Sequence, residues 1–191
     1  MGDYLRIDMR IGVIKGIINP FQIQLDKIAE ICKMDNYIYW DSVYADDFEH
    51  FAGTVFIILQ NYINSSISDL FENSLKFHDI YILDKKVNNS QTTRIELIIA
   101  IANYYKHRDL PEKLHPKTVK PFNDLNIKYQ EIYDEQSQKH YHIVGSRSPV
   151  FEGFSILSEL WNFNDLIDIV TDWRENMWIN VEKISTVQVE E

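Results

Sequence analysis

The stretch from Thr93 to Pro111 constrains the fold most, because both of its ends are marked. Thr93 and Glu96 stand in the capping-box spacing, in which each side chain satisfies an orphan backbone donor at a helix start. Ile95, Ile98, Ala102 and Tyr105 follow at i, i+3, i+7 and i+10, the spacing of one helical face. Lys106, His107 and Arg108 then collect where the helix macrodipole is negative, and Pro111 stops the helix.

Three further segments carry helical period. Phe21 to Met34 places Phe21, Leu25, Ile28 and Cys32 on one stripe, with Pro20 at the usual helix-start position. Ser42 to Asn73 predicts the longest helix, with Phe48, Phe51, Val55, Ile58 (with Leu59), Tyr62 and Ile63 facing inward and Asp46, Asp47 and Glu49 favouring the positive end of its dipole. Gly53 weakens that helix slightly, and Ser65-Ser66 is a place for it to end or bend. Phe154 to Val181 predicts one more, with Leu157, Leu160, Trp161, Ile167, Val170, Trp173 and Met177 inside. The apolar run Ile11 to Ile18 reads equally as a strand or as the lead-in to the first helix.

Four of the five prolines fall between Leu110 and Val150. A connection of that length carries structure or function of its own. A shorter helix near Phe122 to Gln138 and a strand-like piece over His140 to Val144 are expected there. The expected fold is therefore all-α, a single-domain bundle of four to five helices spanning residues 1–191, with a loop and short-helix insertion near 110–150.

Charge narrows the partners. Nineteen Lys and Arg against 29 Asp and Glu leave a net charge of −10. An acidic chain is a poor general nucleic-acid binder, since phosphates are held by clustered cations. The acidity reads as solubility, or as a surface that steers a basic partner protein. A single cysteine, Cys32, excludes an intrachain disulfide and reads as a small core residue. With no basic-then-apolar leader and no run of about 18 apolar residues, neither a secretory signal nor a membrane span is expected, and the cytoplasm is the default.

The richest polar constellation is Asn103-Tyr104-Tyr105-Lys106-His107-Arg108. Asn103 and His107 are four apart and share a helix face, with Lys106 beside them. An amide and an imidazole one turn apart suit a phosphate or a ribose, with His107 as general acid or base. Equally, cationic residues belong in a last helical turn for structural reasons alone.

This Asn-x-x-Lys-His run, at a helix end in an acidic four-helix chain, resembles the HEPN superfamily of prokaryotic nucleotide-binding and RNA-cleaving domains. The family's signature is an arginine, a polar residue and a histidine, which act at a composite site across a dimer. Asn103 matches the polar position and His107 the histidine, while the arginine position falls on Ala102, whose methyl group cannot bind a phosphate. The resemblance implies one of two outcomes. Either the nuclease site is lost and the scaffold serves binding, or Asn103, Lys106 and His107 do the chemistry. It also implies a toxin–antitoxin or defence setting and a homodimer.

Other constellations carry less. His107-Arg108-Asp109 lacks the glycine-rich loop and strand lysine of a kinase. His140 and His142 alternate as two ligands on a strand would, with no third ligand near in sequence, so no metal is expected. Glu112 and His115 have di-iron helix spacing, but Pro111 and Pro116 bracket them and a second such pair is missing. Asp46 and His50 read as a carboxylate–imidazole pair at i, i+4. Tyr37, Tyr39, Trp40 and Tyr44 cluster as an aromatic patch for partner contact, alongside Arg108 and Tyr104, whereas most of the tryptophans belong in the core.

The expected function is a non-enzymatic, acidic helical binding protein of the toxin–antitoxin, immunity or defence kind, acting on a basic partner and needing no cofactor. The alternative is a divergent HEPN-type ribonuclease or RNA-binding protein with His107, Asn103 and Lys106 at its site.

Overall fold

The helix with marked ends is the one on which most of the other helices pack. In the computed structural model, which describes residues 7–34, 44–71, 77–134 and 139–187, the order is α1 (Arg10–Met34), α2 (Ala45–Leu70), α3 (Phe77–Tyr81), α4 (Arg94–His107), α5 (Pro116–Asp124), β1 (Gln130–Asp134), β2 (Lys139–His142), α6 (Pro149–Leu157) and α7 (Phe163–Val187). The all-α expectation holds: the strands form only a small antiparallel hairpin, with Gln130 opposite His142 and Glu131 opposite Tyr141.

The capping box of α4 forms as its spacing predicts, with the Thr93 N–H donating to Glu96 Oε2 at 2.9 Å and the Glu96 N–H donating to Thr93 Oγ1 at 3.1 Å. Packing contributes far more. Ile95, Leu97, Ile98, Ile99 and Ile101 are all buried, and each is worth about 1.5–3 kcal/mol against about 1 kcal/mol for a cap. Apolar side chains leave α4 in nearly every direction, instead of along the one predicted stripe. α2, α5, α6 and α7 all pack against it.

Close approach to α4 is secured by two glycines. A Cβ at Gly53 of α2 would overlap the Tyr105 ring, and one at Gly153 of α6 would overlap the Ile101 side chain. Gly53 is therefore a seat for Tyr105, and its cost to helix propensity is offset by the contact it permits. The buried face of α2 runs through Phe48, Ala52, Val55, Phe56, Leu59, Tyr62 and Ile63, and the helix continues past Ser65-Ser66 to Leu70. Phe51 and Ile58 are half-buried at the edges of that face.

Three boundaries differ from expectation. α1 starts at Arg10, so Ile11–Ile18 is helix and Pro20 lies inside it. An interior proline costs about 3 kcal/mol through a lost hydrogen bond and a ring clash. Here Ile14, Ile18, Leu25 and Ile28 are buried on one stripe and offset it. Arg10 also anchors the helix start by donating to Ser65 Oγ (2.8 Å) and Asp69 (2.6 Å), while Asp8 accepts from Tyr62 and faces Arg174. Cys32 lies on α1 with its side chain outside the described residues.

The predicted last helix is two. α6 ends at Leu157, Ser158 Oγ accepts from the Asn162 N–H at 2.8 Å, and Trp161 takes a positive φ of 53° before α7 begins. Leu160, expected inside, sits in this break and is 86% exposed. The Ser and Asn that make the corner prefer local side-chain-to-backbone bonds over helix continuation. The short helix of the insertion comes earlier than expected. α5 is capped by His115 with Pro116 in its first turn, and it ends where Asn126 turns to φ 57°, so that Gln130–Asp134 is strand.

Replacing Gly53 with Ala should force Tyr105 off its seat and lower stability by about 1–3 kcal/mol, the usual cost of overpacking. Urea unfolding will show a lower midpoint with an unchanged slope; an unchanged midpoint would mean that the two helices are not in close contact.

Candidate functional site

One stripe of α4 borders a cleft, with its first two residues buried and its last one exposed. Glu96, Ile99, Asn103 and His107, at i, i+3, i+7 and i+11, form the floor of a cleft of about 610 Å³, within the range of roughly 300–1,000 Å³ common for small-ligand sites. At 1.5 Å per residue that floor is roughly 16 Å long.

The walls come from the chain on either side. Phe77, His78 and Tyr81 of α3 form one. Tyr81 is held by donating to Asn64 Oδ1 (2.6 Å), and the Tyr81 carbonyl accepts from Thr93 Oγ1 (2.9 Å), which fixes α3 against α2 and the start of α4. Lys113, Leu114, His115, Lys117, Thr118 and Lys120 form the other wall. α5 runs antiparallel to α4, because Asp124 at its end accepts from the backbone N–H groups of Gln91 (2.8 Å) and Thr92 (2.7 Å) and from the Thr92 hydroxyl (2.8 Å). The Thr92 hydroxyl leads these donors in holding the Asp124 carboxyl below its ordinary value.

The lining is cationic. Three lysines and three histidines face one carboxylate, Glu96, in a chain of net charge −10. Glu96 is already engaged: one oxygen takes the Thr93 N–H, and the other lies 3.8 Å from His78 Nδ1. Among the described residues, the ammonium groups of Lys113, Lys117 and Lys120 meet no acidic partner within ion-pair distance.

The predicted residues separate into two groups. Asn103 and His107 both line the cleft, as their shared face requires. Lys106 is not part of the lining; its side chain is exposed, and partial desolvation lowers the affinity of its ammonium for its proton. Its Nζ donates to Gln60 Oε1 at 2.7 Å, and Gln60 Nε2 donates to Asn103 Oδ1 at 2.9 Å.

Arg108 and Tyr104, expected as contact residues, make contacts within the fold. Arg108 pairs with the buried Glu49 at 2.7 Å and lies over the Tyr105 ring, 4.7 Å from its centroid. Burial pushes the Glu49 carboxyl up, against the pull of Arg108. Tyr104 is fully buried and donates to the Ile143 carbonyl at 3.1 Å, pinning the end of the hairpin to α4; burial raises its pKa. Ala102, on which the resemblance would place an arginine, is buried as well.

Tyr44 is half-buried at the start of α2, while Tyr37, Tyr39 and Trp40 lie outside the described residues. Trp173 and Trp178 are buried, in keeping with core tryptophans. The Asp46–His50 pair forms at 3.9 Å, and His50 Nδ1 lies 2.6 Å from the Tyr105 hydroxyl. On β2, His142 faces Asp109 at 4.0 Å, and the His140 side chain lies outside the described residues. Among the described residues, no cluster of three or more His, Cys, Asp and Glu side chains could hold a metal ion, and no helix is long and apolar enough to cross a membrane.

Sequence reasoning missed Gln60, His78 and the Lys113–Lys120 wall. The wall did have a signal: Lys113, His115, Lys117 and Lys120 are a local basic run in an acidic chain. No family model, curated protein or solved structure matches this chain.

The two halves of the predicted motif should respond oppositely to substitution. Arg108→Met leaves Glu49 buried and unpaired, and should cost about 3–5 kcal/mol. His107→Ala, on the open cleft, should stay within about 0.5 kcal/mol. Chemical denaturation of both variants checks this, and equal losses would contradict the division of roles.

Proposed function

We propose that this protein binds a phosphate-bearing ligand, a free nucleotide or a nucleotide unit of an RNA, in the cleft between α3, α4 and α5. The observation that carries this reading is the lining itself, with three lysines around a single engaged carboxylate and three imidazoles beside them. Such a concentration of positive charge in an acidic protein draws anions by field focusing, and a concave wall of lysines suits phosphate oxygens. Exposed Phe77 at one wall adds an aromatic surface on which a base stacks. Asn103 and His107, the two residues that match the HEPN pattern, both face this cleft, which supports placing the RNA-binding alternative there. Ala102 supplies no cation in place of the motif arginine, and the wall lysines take over that charge.

A second reading, recognition of a basic partner protein as in toxin–antitoxin or immunity pairs, is favoured by a different surface. α7 exposes Asp165, Asp168 and Asp172 at i, i+3 and i+7 beside a shallow cavity of about 390 Å³. That row and the cationic cleft have no lining residue in common.

Titration with adenosine 5′-monophosphate and with a labelled single-stranded RNA hexamer tests the first reading. Lys117→Glu with Lys120→Glu should weaken binding at least tenfold. The same pair should flatten the RNA salt dependence by about 1.4 in log–log slope, roughly 0.7 for each phosphate no longer neutralised. Asp168→Lys with Asp172→Lys should leave both affinities within about twofold, as expected for charges far from the bound ligand. Hexamer binding alone identifies RNA as the ligand, and equal binding of both identifies the free nucleotide. A wild-type protein that binds neither probe at low salt overturns the reading.

A further inference from the structure

We infer that Lys106 governs what the cleft binds without touching the ligand: it acts through Gln60 to hold Asn103 as a hydrogen-bond donor toward the cleft. The inference rests on the phosphate-binding reading above and adds positioning residues to it.

The argument follows from which groups can donate. A lysine ammonium has donors only, so its 2.7 Å contact fixes the Gln60 atom facing it as the carbonyl oxygen Oε1. The Gln60 amide nitrogen must then face the other way, where it donates to Asn103 at 2.9 Å. The Asn103 atom that receives this bond is therefore its oxygen, and the donor end of the amide, Nδ2, is left for the cleft that Asn103 lines. Gln60 borders the cleft but is buried, at 6% exposure, and with its oxygen and nitrogen both engaged its amide transmits the direction set by Lys106. Reversing the Gln60 amide would set its NH2 group against an ammonium.

The wall that carries His115 is set in the same sense. His115 caps α5 by accepting the Lys117 N–H on Nδ1 at 3.1 Å. In the neutral ring the hydrogen then sits on Nε2, again a donor. One side chain of the floor and one of a wall are thus each turned donor-outward by a partner beside them. A ligand rich in acceptors, a phosphate above all, satisfies both, whereas a ligand that presents donors satisfies neither.

The alternative is that Lys106 contacts a phosphate directly, and salt dependence separates the two. With the RNA hexamer as probe, Lys106→Met should weaken binding about fivefold while leaving the log–log salt slope unchanged. Gln60→Leu, which keeps the Lys106 charge, should weaken it to a similar degree. The double variant should be no weaker than either single one, since both break one relay. Should Gln60→Leu prove unstable in circular dichroism melting, Gln60→Glu serves instead. A glutamate accepts from Lys106 and can only accept from Asn103, turning the Asn103 oxygen to the cleft, so binding should fall more than tenfold. Lys106→Arg should restore most of the affinity.

A salt slope that flattens by about 0.7 in Lys106→Met places the ammonium on a phosphate and overturns the relay. Full affinity in Gln60→Leu, or in Gln60→Glu where the former does not fold, does the same. In both cases the cleft remains a phosphate site, so these failures are distinct from a wild-type protein that binds no probe.

Discussion

Burial of α4 on nearly all sides is the constraint from which the remaining structure follows. A helix enclosed by α2, α5, α6 and α7 has little room for polar side chains, and those it carries must face whatever gap its neighbours leave. Glu96, Asn103 and His107 share one stripe, and that stripe is the gap. The cleft is thus a consequence of packing: α3 and the chain around α5 flank α4 and leave this line facing the space between them. The same enclosure explains why Arg108 and Tyr104, further round the helix, are drawn into buried contacts with Glu49 and the Ile143 carbonyl.

Charge in this molecule is segregated, and the segregation matters more than the sum. A net charge of −10 describes the surface at long range, where salt screens it beyond about 8–10 Å. Within a concave wall the local arrangement decides, and there the cations outnumber the carboxylates. Acidic residues elsewhere, such as the exposed Asp165–Asp168–Asp172 row of α7, repel anions from that part of the surface. On the proposed phosphate-binding reading, an acidic surface around the cleft would direct an anion to it more sharply than a basic surface would.

What could be read from the sequence depended on how local the cause was. The capping box, the cationic last turn and the stop at Pro111 are local chemistry, and α4 has the ends they predict. The shared face of Asn103 and His107 follows from helix geometry alone. Pro20 misled because four buried apolar residues outweigh its local cost, a balance set by tertiary contacts. The Ser158–Asn162 corner was hidden because the apolar period of α6 continues almost in phase into α7. Gln60 could not have been found: it lies on α2, and its partners Asn103 and Lys106 are more than forty positions away. The Lys113–Lys120 run was visible as composition, but only the antiparallel return of α5 along α4 turns it into a wall facing His107.

The central claim is that the histidines of the first wall, the floor and the second wall line one ligand cleft, and nuclear magnetic resonance of the ring protons tests it most directly. Six histidines give six resolvable signals, assigned by single substitutions. On titration with adenosine 5′-monophosphate, the signals of His78, His107 and His115 should move together with a single binding constant, while those of His50 and His142 stay in place. Movement of all the signals, of none, or of His50 and His142 ahead of the others would contradict the account.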